Sequence, residues 1–145
     1  MNDEENLERK CRLLLHLLQQ TLSNYKHMAS HVNNRIEKDR YEETFQLRLN
    51  FVEEIKNAMQ SNGLKVAVDR ISGAKPMLAP AETLYFDYEL CLRRILKEDI
   101  LLKAHYEKRL AEETLPSGLY TIVQDHLYKI DALVKELQRV VSVYN

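Results

Sequence analysis

The chain has 145 residues, of which 45% are hydrophobic and 30% charged, with three glycines, three prolines and no tryptophan. A chain of this length forms one domain, and this composition is typical of long amphipathic helices and unlike that of β-rich proteins. The net charge of -1, from scattered acidic and basic residues, leaves no basic surface for nucleic acid or for an anionic membrane.

The first half of the chain contains two predicted helices. Apolar residues recur every three or four positions and predict a first helix from about residue 4 to about residue 32. Asn33 and Asn34 interrupt this pattern as turn formers. The same spacing predicts a second helix over residues 37–61, which Gly63 terminates.

The second half contains two further predicted helices after a long connection. Helical spacing is lost over residues 63–80, where glycine and proline recur. A third helix is predicted over residues 82–113. A fourth is predicted over residues 116–143, with Pro116 in its first turn.

The lengths of the connections limit the topology. The short joints between the first and second helices and between the third and fourth predict two antiparallel hairpins. A helix of 25 residues is about 38 Å long, whereas 18 extended residues reach about 60 Å. The prediction is therefore an all-α, antiparallel four-helix bundle, ferritin-like, with a long crossover between the second and third helices. An up-down bundle with a slack loop is the alternative.

Several polar residues occupy positions of the apolar stripes. Arg48 interrupts the stripe of the second helix, and Glu98, with its neighbour Asp99, lies on that of the third. Because burying a guanidinium alone costs several kcal/mol, the sequence predicts a buried ion pair of Arg48 with Glu98 or Asp99. In the alternative, these residues lie at the edge of the stripe with their polar tips in water.

A metal centre is the second interpretation of the same positions. A ferritin-like di-iron or di-manganese site needs a glutamate from each of two helices and Glu-x-x-His from each of the other two. No Glu-x-x-His occurs in the chain. An incomplete ligand set would consist of Glu98, Asp99, His105 and His126, so no metal or other cofactor is predicted.

Other histidines suggest further chemistry. His105 is followed three residues later by Lys108, as in histidine phosphotransfer modules, which is a third interpretation. His27 and His31 are four residues apart and could share an adventitious metal ion, although solvated surface histidines are the simpler reading. The chain contains no nucleophile–base constellation or phosphate loop, so the sequence does not favour an enzyme.

The cysteines and the apolar segments bear on location. Cys11 and Cys91 are far apart and match neither a zinc spacing nor a disulfide framework, which predicts reduced, partly buried thiols. The apolar run from Leu13 to Leu18 is too short to span a bilayer and follows an acidic start. These features predict a cytoplasmic protein without a membrane partner.

The second half of the chain resembles a known family. The segments 97–99, 104–110, 113–116 and 127–130 resemble the last two helices of the PA2169-like (domain of unknown function 2383) proteins of the ferritin-like superfamily. Arg48, Phe51 and Glu54 look like that family's Arg-x-x-Phe-x-x-Glu. Two positions depart from the pattern, since Lys97 replaces a glycine and Val134 a histidine.

This resemblance implies a ferritin-like bundle, bacterial in origin, whose relatives have uncertain functions that are sometimes linked to stress responses. Together with the residue patterns, it leads us to expect a metal-free, non-catalytic bundle with a structural or protein-binding role. We also expect a homodimer, because long helices leave an apolar edge for a second copy to cover. That edge consists of Leu13, Leu17, Leu47 and Leu96.

Overall fold

The computed structural model describes residues 3–66, 86–112 and 115–144 of the chain. These residues form four α-helices and no strand: α1 (Asp3–His31), α2 (Arg35–Ser61), α3 (Tyr88–Ala111) and α4 (Ser117–Ser142). Within these residues, the prediction of an all-helical chain with four helices is confirmed. The predicted connection beyond residue 66 and the predicted helical residues 82–85 lie outside the described residues.

Capping residues determine where α2 and α3 begin. The Asn34 side-chain oxygen accepts the backbone N–H groups of Ile36 and Glu37, so α2 begins two residues earlier than the predicted position 37. Asp87 has an extended backbone and accepts the N–H of Leu90. For this reason α3 begins at Tyr88, after the predicted position 82.

The C-terminus of α2 is closed by a glycine in the left-handed conformation. Gly63 has a φ of 70° and donates its N–H to the Gln60 carbonyl at 3.0 Å. Leu64 donates to the Met59 carbonyl at 2.9 Å and is itself buried. This pair of bonds is a Schellman motif, in which glycine at the left-handed position avoids a steric penalty.

The helices pack in a ring in which each has two main neighbours. α1 packs against α2 and α3, and α4 packs against the same two helices. Their inner faces form two hydrophobic clusters. The first contains Leu18, Phe51 and Leu102, and the second contains Met28 and Ile95.

A polar layer separates these two clusters. On α1 the first cluster ends at Leu18 and the second begins at Tyr25, with the buried Thr21 between them. Arg48 on α2 and Asp99 on α3 occupy the corresponding interruptions. No helix of the described chain is both long and apolar enough to cross a membrane.

Candidate functional site: a buried polar layer

The polar layer is centred on an ion pair between α2 and α3. The Arg48 side chain is 1% exposed, and its two terminal nitrogens donate to the two carboxylate oxygens of Asp99, each at 3.0 Å. One of these nitrogens also donates to the Thr21 hydroxyl at 2.9 Å. A bidentate contact of this kind matches the planar guanidinium fork to the carboxylate and fixes both side chains.

Tyr25 of α1 completes this group. Its hydroxyl donates to the Asp99 oxygen Oδ2, and its ring lies 5.2 Å from the Arg48 guanidinium carbon, as in a cation–π contact. Burial, together with the negative charge of Asp99, raises the pKa of Tyr25 well above its ordinary value. The tyrosine therefore stays protonated and keeps donating to the carboxylate.

The charge of Arg48 is maintained by its partners. Burial alone lowers the pKa of Arg48, but the attraction of Asp99, with smaller contributions from Tyr25, from the hydrogen bonds to the Asp99 carboxylate and from Tyr106, more than offsets this effect, so the pKa is raised. The guanidinium is therefore a permanent positive charge in the centre of the bundle. The ion pair itself is balanced, because one cation faces one carboxylate.

A second polar group lies beside the first. His126 of α4 is fully buried, and its ring stacks on Phe51 with the ring centres 3.8 Å apart. Its nitrogen Nδ1 lies 3.0 Å from the hydroxyl of Tyr106. Its other nitrogen, Nε2, lies 3.4 Å from a carboxylate oxygen of Glu54 but forms no hydrogen bond.

The electrostatics of His126 are dominated by burial. Desolvation, with a smaller contribution from the cations Lys129 and Arg48, lowers the pKa of His126 to about 4. The imidazole is therefore neutral at pH 7 and carries one proton. The carboxylate of Glu54 faces Nε2, which favours the proton there and leaves Nδ1 to accept from the Tyr106 hydroxyl.

The predicted site residues are only partly brought together. Arg48 and Asp99 form the ion pair, whereas Glu98 is half-buried and receives none of the Arg48 hydrogen bonds described here. His105 is also half-buried, and its nitrogen Nδ1 has no hydrogen-bond partner. His126 contacts Tyr106 and Glu54, away from the ion pair's own hydrogen bonds.

The ligand set considered for a metal centre is dispersed. Asp99 is held by Arg48 and Tyr25, and His126 has different partners. Over residues 3–66, 86–112 and 115–144, no three side chains of histidine, cysteine, aspartate or glutamate form a group suited to a metal ion.

Four residues of the layer were not among the sequence candidates: Thr21, Tyr25, Glu54 and Tyr106. Tyr25 and Tyr106 fit the apolar stripes and are therefore compatible with a purely apolar core, although a buried tyrosine hydroxyl requires a partner. Thr21 lies on the buried face of α1 between Leu18 and Tyr25, a position that could have signalled a polar contact. For Glu54 the signal in the sequence was its place in the spacing Arg48, Phe51, Glu54, which looks like the Arg-x-x-Phe-x-x-Glu pattern described above.

The apolar residues expected at a dimer edge are mostly covered within the single chain. Leu17 is buried, and Leu13, Leu47 and Leu96 pack partly against the core. The most exposed large apolar side chains described lie elsewhere, at Ile36, Tyr128 and Val143.

Comparison with protein-family models and with curated proteins finds no significant match to this chain.

Proposed function

We propose that this protein is a metal-free, ferritin-like four-helix bundle that acts as a non-catalytic structural or protein-binding protein. The observation that carries this proposal is the state of Asp99. Its two carboxylate oxygens accept from Arg48, and one also accepts from Tyr25. The central carboxylate is therefore already neutralised by groups of the chain itself.

A cation at this position would have to displace the guanidinium. Removing one partner of a buried ion pair leaves an uncompensated charge, at a cost of about 3–5 kcal/mol. The permanent charge of Arg48 would in addition repel any cation that approached Asp99. Both effects favour a structural role for the interior, so that any binding role belongs to the surface of the bundle.

Contacts near the helix ends support an antiparallel order of α1 and α3. Lys10, near the beginning of α1, forms an ion pair with Glu112, which directly follows α3. Tyr25, farther along α1, bonds to Asp99, which lies earlier in α3. This order of contacts is the one expected of two helices that run in opposite directions.

Contacts between α2 and α3 support the long crossover. Tyr41 bonds to Tyr88 near the beginning of both helices, and Arg48 bonds to Asp99 farther along both. Two helices with the same direction need a connection that returns along the bundle, as in ferritin-like folds. The resemblance to the PA2169-like family, with its bacterial and stress-related associations, and the cytoplasmic location belong to the same proposal.

Metal titration tests the metal-free interior. We expect an excess of Fe²⁺ or Mn²⁺ to leave the melting temperature unchanged. An ion that bound only the native state would raise the melting temperature. The measurement is thermal unfolding of protein purified without chelator, alongside elemental analysis. Tight stoichiometric metal that is lost in the variant Asp99→Asn would overturn the proposal.

Self-association tests the second part of the proposal. We propose a homodimer, supported by exposed apolar side chains such as Tyr128 and Val143, which are 77% and 80% exposed. Sedimentation equilibrium is expected to give twice the monomer mass. A monomer at all concentrations would contradict the homodimer and leave a different protein partner as the binding role to be tested.

A further inference from the structure

Two histidines lie side by side at the end of α1, outside the polar layer. His27 and His31 are one helical turn apart, and their ring centres are 4.3 Å apart with an interplanar angle of 41°. Residues four apart share one face of a helix, so both rings can approach the same point in space. His31 is exposed, and His27 is half-buried.

A hydrogen bond to the backbone determines which ring nitrogen of His31 is available to coordinate a metal ion. Its Nδ1 lies 2.9 Å from the backbone carbonyl of His27, and since a carbonyl only accepts, Nδ1 carries the proton and donates. The lone pair is therefore on Nε2. This arrangement is typical of metal-binding histidines, which donate their other N–H to a carbonyl or carboxylate.

An aromatic neighbour holds the rings in place. Phe86, just before α3, stacks on His31 with the ring centres 5.1 Å apart and the planes at 16°. Its centre is also 5.9 Å from that of His27. The three rings form one cluster, so the histidine rotamers are partly ordered before any ligand binds.

The ring spacing fits two imidazoles around one ion. An ion about 2.0–2.1 Å from a ring nitrogen lies about 3.2 Å from the ring centre, so two rings at right angles around it have centres about 4.5 Å apart. For tetrahedral ligands the same estimate gives about 5.2 Å. The observed 4.3 Å is closer to the right-angle value, which corresponds to square-planar and octahedral ions, than to the tetrahedral value.

We propose that His27 and His31 form a two-histidine site for a divalent late transition-metal ion, Cu²⁺ or Ni²⁺. Imidazole suits these ions, and Cu²⁺ stands highest in the affinity order of the first-row divalent metals. Water fills the remaining coordination positions. This site lies outside the interior for which a metal-free state is proposed, and it shares no residue with the polar layer, so the two proposals are independent.

The local electrostatics favour a cation. The end of α1 carries the negative pole of the helix dipole, and His31 is its last residue. Burial and the neighbouring His31 lower the pKa of His27, so the ring is neutral and able to coordinate at pH 7.

Calorimetric titration of tag-free protein with Cu²⁺ tests the site. The wild type is expected to bind one equivalent, and His27→Gln or His31→Gln to weaken binding by at least about tenfold. The control is His16→Gln, because His16 is an exposed histidine of the same helix that contacts Gln20. Glutamine keeps the helix propensity high in all three variants.

Electron paramagnetic resonance of the Cu²⁺ complex supplies a second readout, with two coordinated imidazole nitrogens expected. Equal binding by the wild type and a double variant of His27 and His31 would show adventitious binding only and would overturn the proposal. An equal loss in His16→Gln, or Zn²⁺ binding tighter than Cu²⁺ binding, would also contradict it. Circular dichroism of each variant separates lost binding from lost folding.

Discussion

Arg48 is the bulkiest fully buried side chain among the described residues, ahead of every aromatic and aliphatic one. A buried ion pair contributes little net stability, because the desolvation of both charges offsets their attraction. Its larger effect is on specificity. Arg48 reaches an acceptor only when Asp99 and Thr21 are opposite it, so an alternative register of the helices would leave a buried charge without a partner.

Removal of this cation provides the first prediction. The substitution Arg48→Ala should lower the free energy of unfolding by about 3–5 kcal/mol, because Asp99 would stay buried without its counterion. The matched control is Lys135→Ala, which breaks the exposed pair with Asp131 and should cost less than about 1 kcal/mol. Urea unfolding measures both. Equal costs for the two variants would show that Arg48 is not part of a buried pair.

His126 predicts a specific dependence of stability on pH. Its pKa is lowered by burial to about 4, so the folded state binds fewer protons than the unfolded state between pH 6.5 and pH 4. Stability is therefore lost as the pH falls through this window, by up to about 3 kcal/mol from this residue. Above pH 6.5 the histidine is neutral in both states and has no such effect.

The variant His126→Gln isolates this contribution, because glutamine does not titrate and can still accept from Tyr106. We expect the variant to be less stable than the wild type at pH 7 and the difference to shrink towards pH 4. Chemical unfolding at a series of pH values measures it. A constant difference between pH 7 and pH 4 would mean that His126 is not buried in its neutral form.

The sequence pointed to part of this layer and missed the rest for a physical reason. Arg48 stands out because a permanent charge on an apolar stripe demands a partner. The choice between Glu98 and Asp99 could not be made, because adjacent helical residues differ by about 100° in direction and either could face α2. Tyr106 gave no such signal, since a tyrosine is compatible with a buried stripe.

At the scale of the helix, apolar spacing predicts the body of each element better than its ends. A period of 3.6 extends over many residues, whereas a boundary depends on one capping side chain. Asn34 and Asp87 show this, because each accepts backbone N–H groups at the start of a helix. The glycine that ends α2 was recognisable from the sequence, since few residues other than glycine adopt its conformation without strain.

Asn34 yields a prediction for α2. The substitution Asn34→Ala should lower the free energy of unfolding by about 1 kcal/mol, because the N–H groups of Ile36 and Glu37 lose their acceptor. Asn33→Ala is the matched control, since the cap bonds come from Asn34, and it should change stability by less than about 0.5 kcal/mol. Thermal unfolding of the two variants distinguishes them. If Asn33→Ala cost as much as Asn34→Ala, the effect would not come from the cap.

Across the whole molecule, the order of clusters along each helix ties the fold to the polar layer. Each of α1, α2 and α3 passes from one hydrophobic cluster through a polar residue into the other. α1 and α3 traverse the clusters in opposite orders, and α2 and α3 in the same order. Sliding a helix along the bundle would place Arg48 or Asp99 in a hydrophobic cluster, which is costly for an unpaired charge.

The direction of α3 relative to α1 yields the last prediction. Spin labels on the exposed positions Arg9 and Lys108 should be closer together than labels on Arg9 and Lys97, by up to about 16 Å for 11 helical residues. Site-directed labelling suits this protein because both native cysteines are buried and burial raises the pKa of Cys11 to about 11, which suppresses its reactivity. Pulsed electron paramagnetic resonance measures both distances. If α1 and α3 ran in the same direction, the order of the two distances would be reversed. That result would contradict both the long crossover and the position of the ion pair at the centre of the bundle.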